Sequence, residues 1–325
     1  MRRARNLMIA LSFSVVPLVV AQDAAWRAIA DWAKMPEGRM WGSTSTLDVD
    51  RNGHVWVFER CGANACAESP LPPVIQFDAS GKFLHAFGAG MFVFPHGIHA
   101  DRDGNIWVAD ATGKDGKGHV VVKFNRDGKV LLTLGKPGVA GETADTFNRP
   151  SAVITAPNGD IFVADGHGGD SNARVVKFAR DGKFIKTWGT KGTGPGEFGE
   201  LHGIALDSAG RVFVADRGNN RIQIFDADGK YIAEWKQFGR PSGIYIDASD
   251  TLYVTDHGSD AKRNPGVRRG IRVGSATDGT VRSHIPGVGP ESDKENMGES
   301  VAADGKATIY AAEVARKCVT KYVRQ

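Results

Sequence analysis

The stretch RVFVADRGNNRIQIFDADGKYIAEW, residues 211–235, holds two β-rich alternating runs, VFVAD and RIQIF, and turns after the second at Asp228-Gly229. An Asp-Gly pair supplies the positive-φ residue that a tight hairpin requires, so the stretch reads as antiparallel strands joined by short turns. Runs of the same design recur as HVWVFER (54–60), NIWVADA (105–111), DIFVADG (160–166), TLYVTDH (251–257) and TIYAAEV (308–314). Their central residues Val57, Val108, Val163, Val214, Val254 and Ala311 lie 51, 55, 51, 40 and 57 residues apart. Six units of roughly 50 residues have the period of propeller blades.

A short apolar strand and turn precede each run, as in GIHADRDG (97–104), GIALDSAG (203–210) and GIYIDASD (243–250). A further strand and turn follow, as in VVKFNRDGK (121–129) and VVKFARDGK (175–183), and a fourth strand such as FIKTWG (184–189) completes the unit. Four antiparallel strands repeated six times give an all-β, six-bladed propeller around a central channel. The sixth unit has no obvious fourth strand after residues 321–324. Residues 26–41 are expected to supply it and close the ring, since an open ring would expose strand edges.

A chain of 325 residues with 41% hydrophobic and 24% charged residues is neither disordered nor collagenous. The repeat makes residues 22–325 one propeller domain. Residues 1–21 read as a signal peptide: Arg2, Arg3 and Arg5 precede an apolar run at 7–20, and Val19-Val20-Ala21 offers a small-residue cleavage site. Left uncleaved, the same segment would be an anchor. Its three arginines account for most of the formal charge, which falls from +4 to +1 on their loss. So small a charge gives no basis for a nucleic-acid partner, and no other apolar stretch is long enough to span a bilayer. The expectation is a periplasmic or secreted monomer that takes a small-molecule or peptide substrate. Cys61 and Cys66 lie close enough in one loop to form a disulfide, which leaves Cys318 alone. A redox pair or thiolate metal site would need a tighter C-x-x-C spacing or more ligands.

Twelve residues before the six central positions come Ser45, His96, Ser151, His202, Ser242 and Glu299, each at the start of an innermost strand. These six side chains should ring one end of the channel. His96, His202 and Glu299 fall in alternate blades, where two imidazoles and a carboxylate would converge on the axis as a three-ligand divalent metal site with an open position. Polar residues meeting solvent at strand starts are the bland alternative, but it does not account for the alternation with serine. The innermost strand starts where its neighbour ends, so Arg60, Ala111, Gly166, Arg217, His257 and Val314 share this end of the channel. Insertions at 61–73, 168–172 and 258–270 follow on the same face, where binding specificity usually resides. His54, His85, His99, His119 and His284 fall at turn or off-axis positions and read as solvent-facing or structural.

Residues 211–235 look like an NHL repeat. LHGIALD (201–207), VADRGNNRIQIF (214–225) and VADGHGGDSNARVVKF (163–178) resemble the peptidyl-α-hydroxyglycine amidating lyases in particular, and the likeness runs over about residues 43–322. The resemblance implies three metal-binding histidines in Pro-His motifs; Pro95-His96 and Leu201-His202 match two of them. At the third, Gly298-Glu299-Ser300, glutamate stands for histidine and serine for an acidic residue. This leaves a His₂Glu zinc site and puts the family's structural calcium in doubt. Arg60, in Phe58-Glu59-Arg60, matches an arginine the lyases use on substrate; Arg217 is a second candidate for substrate contact, although in such repeats it more often bridges to a neighbouring blade. The lyases' Asp-Gly-Tyr, whose tyrosine is a proposed base, is here Asp165-Gly166-His167. The implied reaction splits the C–N bond of a carbinolamide, with His167 or His257 taking the proton and Arg60 holding the carboxylate. Lactone or ester hydrolysis at the same site, and a non-enzymatic NHL binding module, are the alternatives.

Overall fold

The computed structural model describes residues 26–29, 31–288 and 298–325, so the 1–21 segment lies outside the described residues. Six four-stranded antiparallel sheets make the ring, and the one helical element among the described residues is a 3₁₀ turn at Arg217–Asn219. The innermost strands are Thr44–Val49, Pro95–Ala100, Pro150–Thr155, Leu201–Leu206, Ile244–Ile246 and Ser300–Ala303. Each pairs with its successor through a short turn. The hairpin glycines Gly128, Gly182 and Gly229 take φ of 84°, 85° and 80°, which a side chain would oppose.

Closure comes from the N-terminal side. Trp26–Ile29 runs antiparallel to Cys318–Arg324, with Trp26 opposite Arg324 and Ile29 opposite Lys321. Chain start and chain end thus share blade six, so no blade has an unpartnered fourth position.

The core consists of apolar seams between neighbouring blades. Trp56, Phe58 and Val74 of blade one pack with Ile98, Ile106 and Val108 of blade two, and the last seam joins Tyr310 and Val319 to Leu47 and Ile75. One wedge position recurs as Trp56, Trp107, Phe162, Phe213, Tyr253 and Tyr310. Burying such a side chain stabilises by about 1.5–3 kcal/mol. Its polar tip is then met by the carboxylate of the preceding turn: Trp56 and Trp107 donate from Nε1 to Asp50 and Asp101, and Tyr253 donates to Asp247.

A buried carboxylate closes the second strand of every blade: Glu59, Asp110, Asp165, Asp216, Asp256 and Glu313. Five of them meet an arginine: Arg39, Arg174, Arg221, Arg272 and Arg316 respectively, skipping Asp110. Asp110 accepts instead from the Val93 and Phe94 amides alone, and burial pushes its carboxyl up to about 7. In blades one to five these carboxylates accept from backbone amides of the entering loop (Gly42, Val93 and Phe94, Asn148, Gly199 and Arg240), which ties that loop to the sheet and fixes where the inner strand begins.

Candidate metal centre

All six residues that begin or immediately precede the inner strands line one cavity of about 200 Å³ enclosed by those strands. In blades one to four the pairing register shifts at Ser45, His96, Ser151 and His202. Such a bulge frees one residue from the ladder and re-aims its side chain. Close packing of the inner strands does the rest. A Cβ on Gly97 would stand 2.6 Å from the Ser151 carbonyl oxygen, so only glycine lets that carbonyl reach the neighbouring His96 ring.

His96 Nδ1 lies 2.7 Å from the Ser151 carbonyl oxygen, and His202 Nδ1 lies 3.1 Å from that of Ser242. A carbonyl only accepts, so both rings donate from Nδ1 and keep the lone pair on Nε2. Both Nε2 atoms are buried without a hydrogen-bond partner. Glu299 Oε1 stands 3.0 Å from His202 Nε2, but a neutral ring that donates from Nδ1 has no proton to offer there. Two acceptors held this close call for a cation. His167 completes the cluster: one ligand atom from each of His96, His167, His202 and Glu299 falls within 4.8 Å of all the others.

The electrostatics suit a divalent ion. Burial holds the pKa of His96 and His167 well below the usual histidine range, and lowers that of His202 with help from Arg217. For Glu299 burial alone would raise the pKa. The His202 contact and the Arg60 guanidinium are among the influences that outweigh it and hold the carboxyl well below its ordinary value. Neutral imidazoles facing an ionised carboxylate are donors in the form that metals bind. Orphaned ring nitrogens and a nitrogen-rich donor set therefore fit zinc.

Arg60 is buried above this cluster, its guanidinium 3.8 Å from the centre of the Phe94 ring. Nε donates to the Pro95 carbonyl at 3.1 Å and Nη1 to Asn64 Oδ1 at 2.7 Å. Asn64 lies inside the loop that the Cys61–Cys66 disulfide closes. His257 receives or gives a hydrogen bond at Nδ1 with Ser242 Oγ, 2.7 Å away, and its ring centre is 6.4 Å from that of His202. Burial pushes His257 down to about 4, although Glu299 pulls the other way, so it is neutral at pH 7.

Arg217 is engaged elsewhere: Nε and Nη2 donate to the two carboxylate oxygens of Glu200 at 3.1 and 2.6 Å. The Arg217 carbonyl accepts from Arg240 Nη1, which ties this pair of blade four to the loop that enters blade five. His99 is not off-axis, because the inner strand carries it along the channel wall. There it joins Asp48, 3.0 Å from Nδ1, to Thr155, 3.0 Å from Nε2. His54, His85, His119 and His284 each have a local hydrogen-bond partner. The blade-end carboxylates, Asn64 and Glu200 were not singled out from sequence. The carboxylates had a visible signal, the final Asp or Glu of VAD, VTD, AAE and VFE in every repeat.

Comparison with known proteins agrees with this architecture. A family model described as a 6-bladed beta-propeller matches residues 142–239. NHL repeat-containing protein 3 of Homo sapiens is 35% identical over 330 residues, covering 98% of this chain and 88% of that protein. The probable peptidyl-alpha-hydroxyglycine alpha-amidating lyase of Caenorhabditis elegans is 33% identical over 204 residues, 57% of this chain and 56% of that one. Among solved structures, a gluconolactonase from Xanthomonas campestris superposes with a TM-score of 0.62 at 14% identity, over 88% of this chain and 87% of that chain, a likeness of fold. By its repeats, its ring and these relatives, the chain belongs to the NHL-repeat six-bladed β-propellers, with the amidating lyases among its homologues.

Proposed function

We propose that this protein is an exported, metal-dependent lyase that cleaves the C–N bond of a carbinolamide, a peptidyl-α-hydroxyglycine or a close relative. The observation that carries the reading is the pair of buried, lone-pair-bearing Nε2 atoms of His96 and His202 facing Glu299 beneath Arg60. His96, His202 and Glu299 would hold a divalent metal, zinc by this donor set, which would supply Lewis acidity toward a substrate oxygen. Arg60, pre-aligned by Asn64 and stacked on Phe94, binds the substrate carboxylate and sets the hydroxyl toward the axis. His257 enters neutral and, in the tautomer that donates from Nδ1 to Ser242 Oγ, accepts the hydroxyl proton at Nε2. The O–H electron pair forms the new C=O bond while the C–N pair leaves with nitrogen. His257 returns the proton to that nitrogen, giving an amide and glyoxylate with no water consumed. The Cys61–Cys66 disulfide supports an oxidising compartment.

A second reading rests on the human relative, whose name states no reaction: a binding module that uses its loop face. The test is to incubate zinc-loaded protein with an α-hydroxyglycine peptide and, separately, with a lactone panel. Glyoxylate release lost in His96→Ala supports the lyase. Acid release from lactones alone would make it a hydrolase, and inactivity on both with zinc bound would leave the binding module.

A further inference from the structure

His96, His202 and Glu299 are buried at the starts of alternate inner strands, whereas His167 sits in a loop and is partly exposed. It follows Gly166 and precedes Gly168 and Gly169, whose φ values of 61° and 60° are in the left-handed region. Its backbone N–H donates to the Arg149 carbonyl at 2.9 Å, which holds the main chain beside the axis. The ring centre then lies 4.1 Å from that of His96 and 5.1 Å from that of His202. Among the described residues no hydrogen bond engages either ring nitrogen, in contrast to His257, whose Nδ1 is held by Ser242.

Zinc–nitrogen bonds of about 2.0–2.1 Å place the donors of a four-ligand site about 3.3 Å apart. The four donors here lie within 4.8 Å, so closing on an ion asks for shifts of at most about 1.5 Å, within reach of a loop side chain.

We propose that His167 is an exchangeable fourth metal ligand. It closes the coordination of the resting protein and gives way to an anionic oxygen of an incoming small carboxylate compound. The histidine that stands where the lyases carry tyrosine is then a gate on the metal rather than the base, which leaves proton transfer to His257. This inference rests on the metal reading above but not on the reaction.

X-ray absorption at the zinc edge counts imidazole ligands directly. The zinc-loaded wild-type protein should show three, His167→Ala two, and wild type with excess glyoxylate two. Competition with a chromophoric chelator should show zinc held at least about tenfold more weakly by His167→Ala, the low end for losing even a group that merely supports a ligand. His167→Gln serves as a second variant, and the wild-type count needs no variant at all. Two imidazoles in the wild type, with zinc affinity equal to that of His167→Ala, would overturn the ligand. Three that persist under glyoxylate would overturn the exchange. Failure of the wild type to bind zinc would instead overturn the metal site itself.

Discussion

Replacing Glu313 by glutamine should remove a loss of stability that the wild-type protein suffers as the pH rises from about 4 to about 8. Glu313 is fully buried; its Oε1 accepts from the Thr320 hydroxyl at 3.0 Å and lies 3.7 Å from an Arg316 nitrogen, while Oε2 has no partner. Burial pushes its carboxyl up to about 7, against Thr320 and Arg316, which pull it down. In the unfolded chain the same group titrates near its ordinary value of about 4.3. Between these values the folded protein binds a proton that the unfolded chain does not, so stability is fully present at low pH and is lost as pH rises through about 7. A difference of roughly 2.7 pKa units corresponds to about 3–4 kcal/mol at most. Glutamine stays neutral throughout. Urea denaturation at about pH 4, 5, 6, 7 and 8 should find the two proteins alike near pH 4 and the variant more stable by about 3–4 kcal/mol at pH 8. Titration of every other group cancels in the comparison. A difference between variant and wild type that stays constant across this range would refute the reasoning.

Asp165→Ala strands the Arg174 guanidinium, 4% exposed, without its carboxylate, and should cost about 3–5 kcal/mol in the same denaturation assay. Gly97→Ala pushes a methyl group against the Ser151 carbonyl that orients His96, and should weaken zinc binding by about 10- to 100-fold, measured by chelator competition. Arg60→Ala should lower kcat/KM for a carboxylate-bearing substrate by about 10- to 150-fold, the loss of a charge-assisted hydrogen bond, and leave the zinc content unchanged. Serine at both Cys61 and Cys66 opens a loop of sequence separation 5. It should cost about 2 kcal/mol of stability by loop-closure entropy and raise KM, through the loosened Asn64 contact to Arg60.

The propeller was legible because the same β-rich run, with an aromatic as its third residue, recurs in six blades and an Asp-Gly turn follows it in blades two to five. Inner and second strands are joined by turns of constant length, so counting back twelve residues from Val108, Val214 and Ala311 reached His96, His202 and Glu299. The uneven spacing of 40 to 57 residues comes from segments outside that hairpin. Those same segments are where the reading faltered. Antiparallel pairing placed Gly166 near the channel mouth, but the path of the following loop is not periodic, and only the structure brings His167 to the ligand cluster. The turn after Asp216 hands Arg217 to Glu200, a partner adjacent in space but seventeen residues away in sequence. His99 was read as off-axis because the landmark was the start of the inner strand, and nothing in the period marks how far down the channel a polar residue continues.

The central claim is that three inner strands carry a metal site at the channel end, and elemental analysis of the purified protein tests it most directly. One equivalent of a divalent metal is expected in the wild type, with zinc preferred on reconstitution, and none in the His202→Ala, Glu299→Ala double variant. Full occupancy in that double variant would contradict the account.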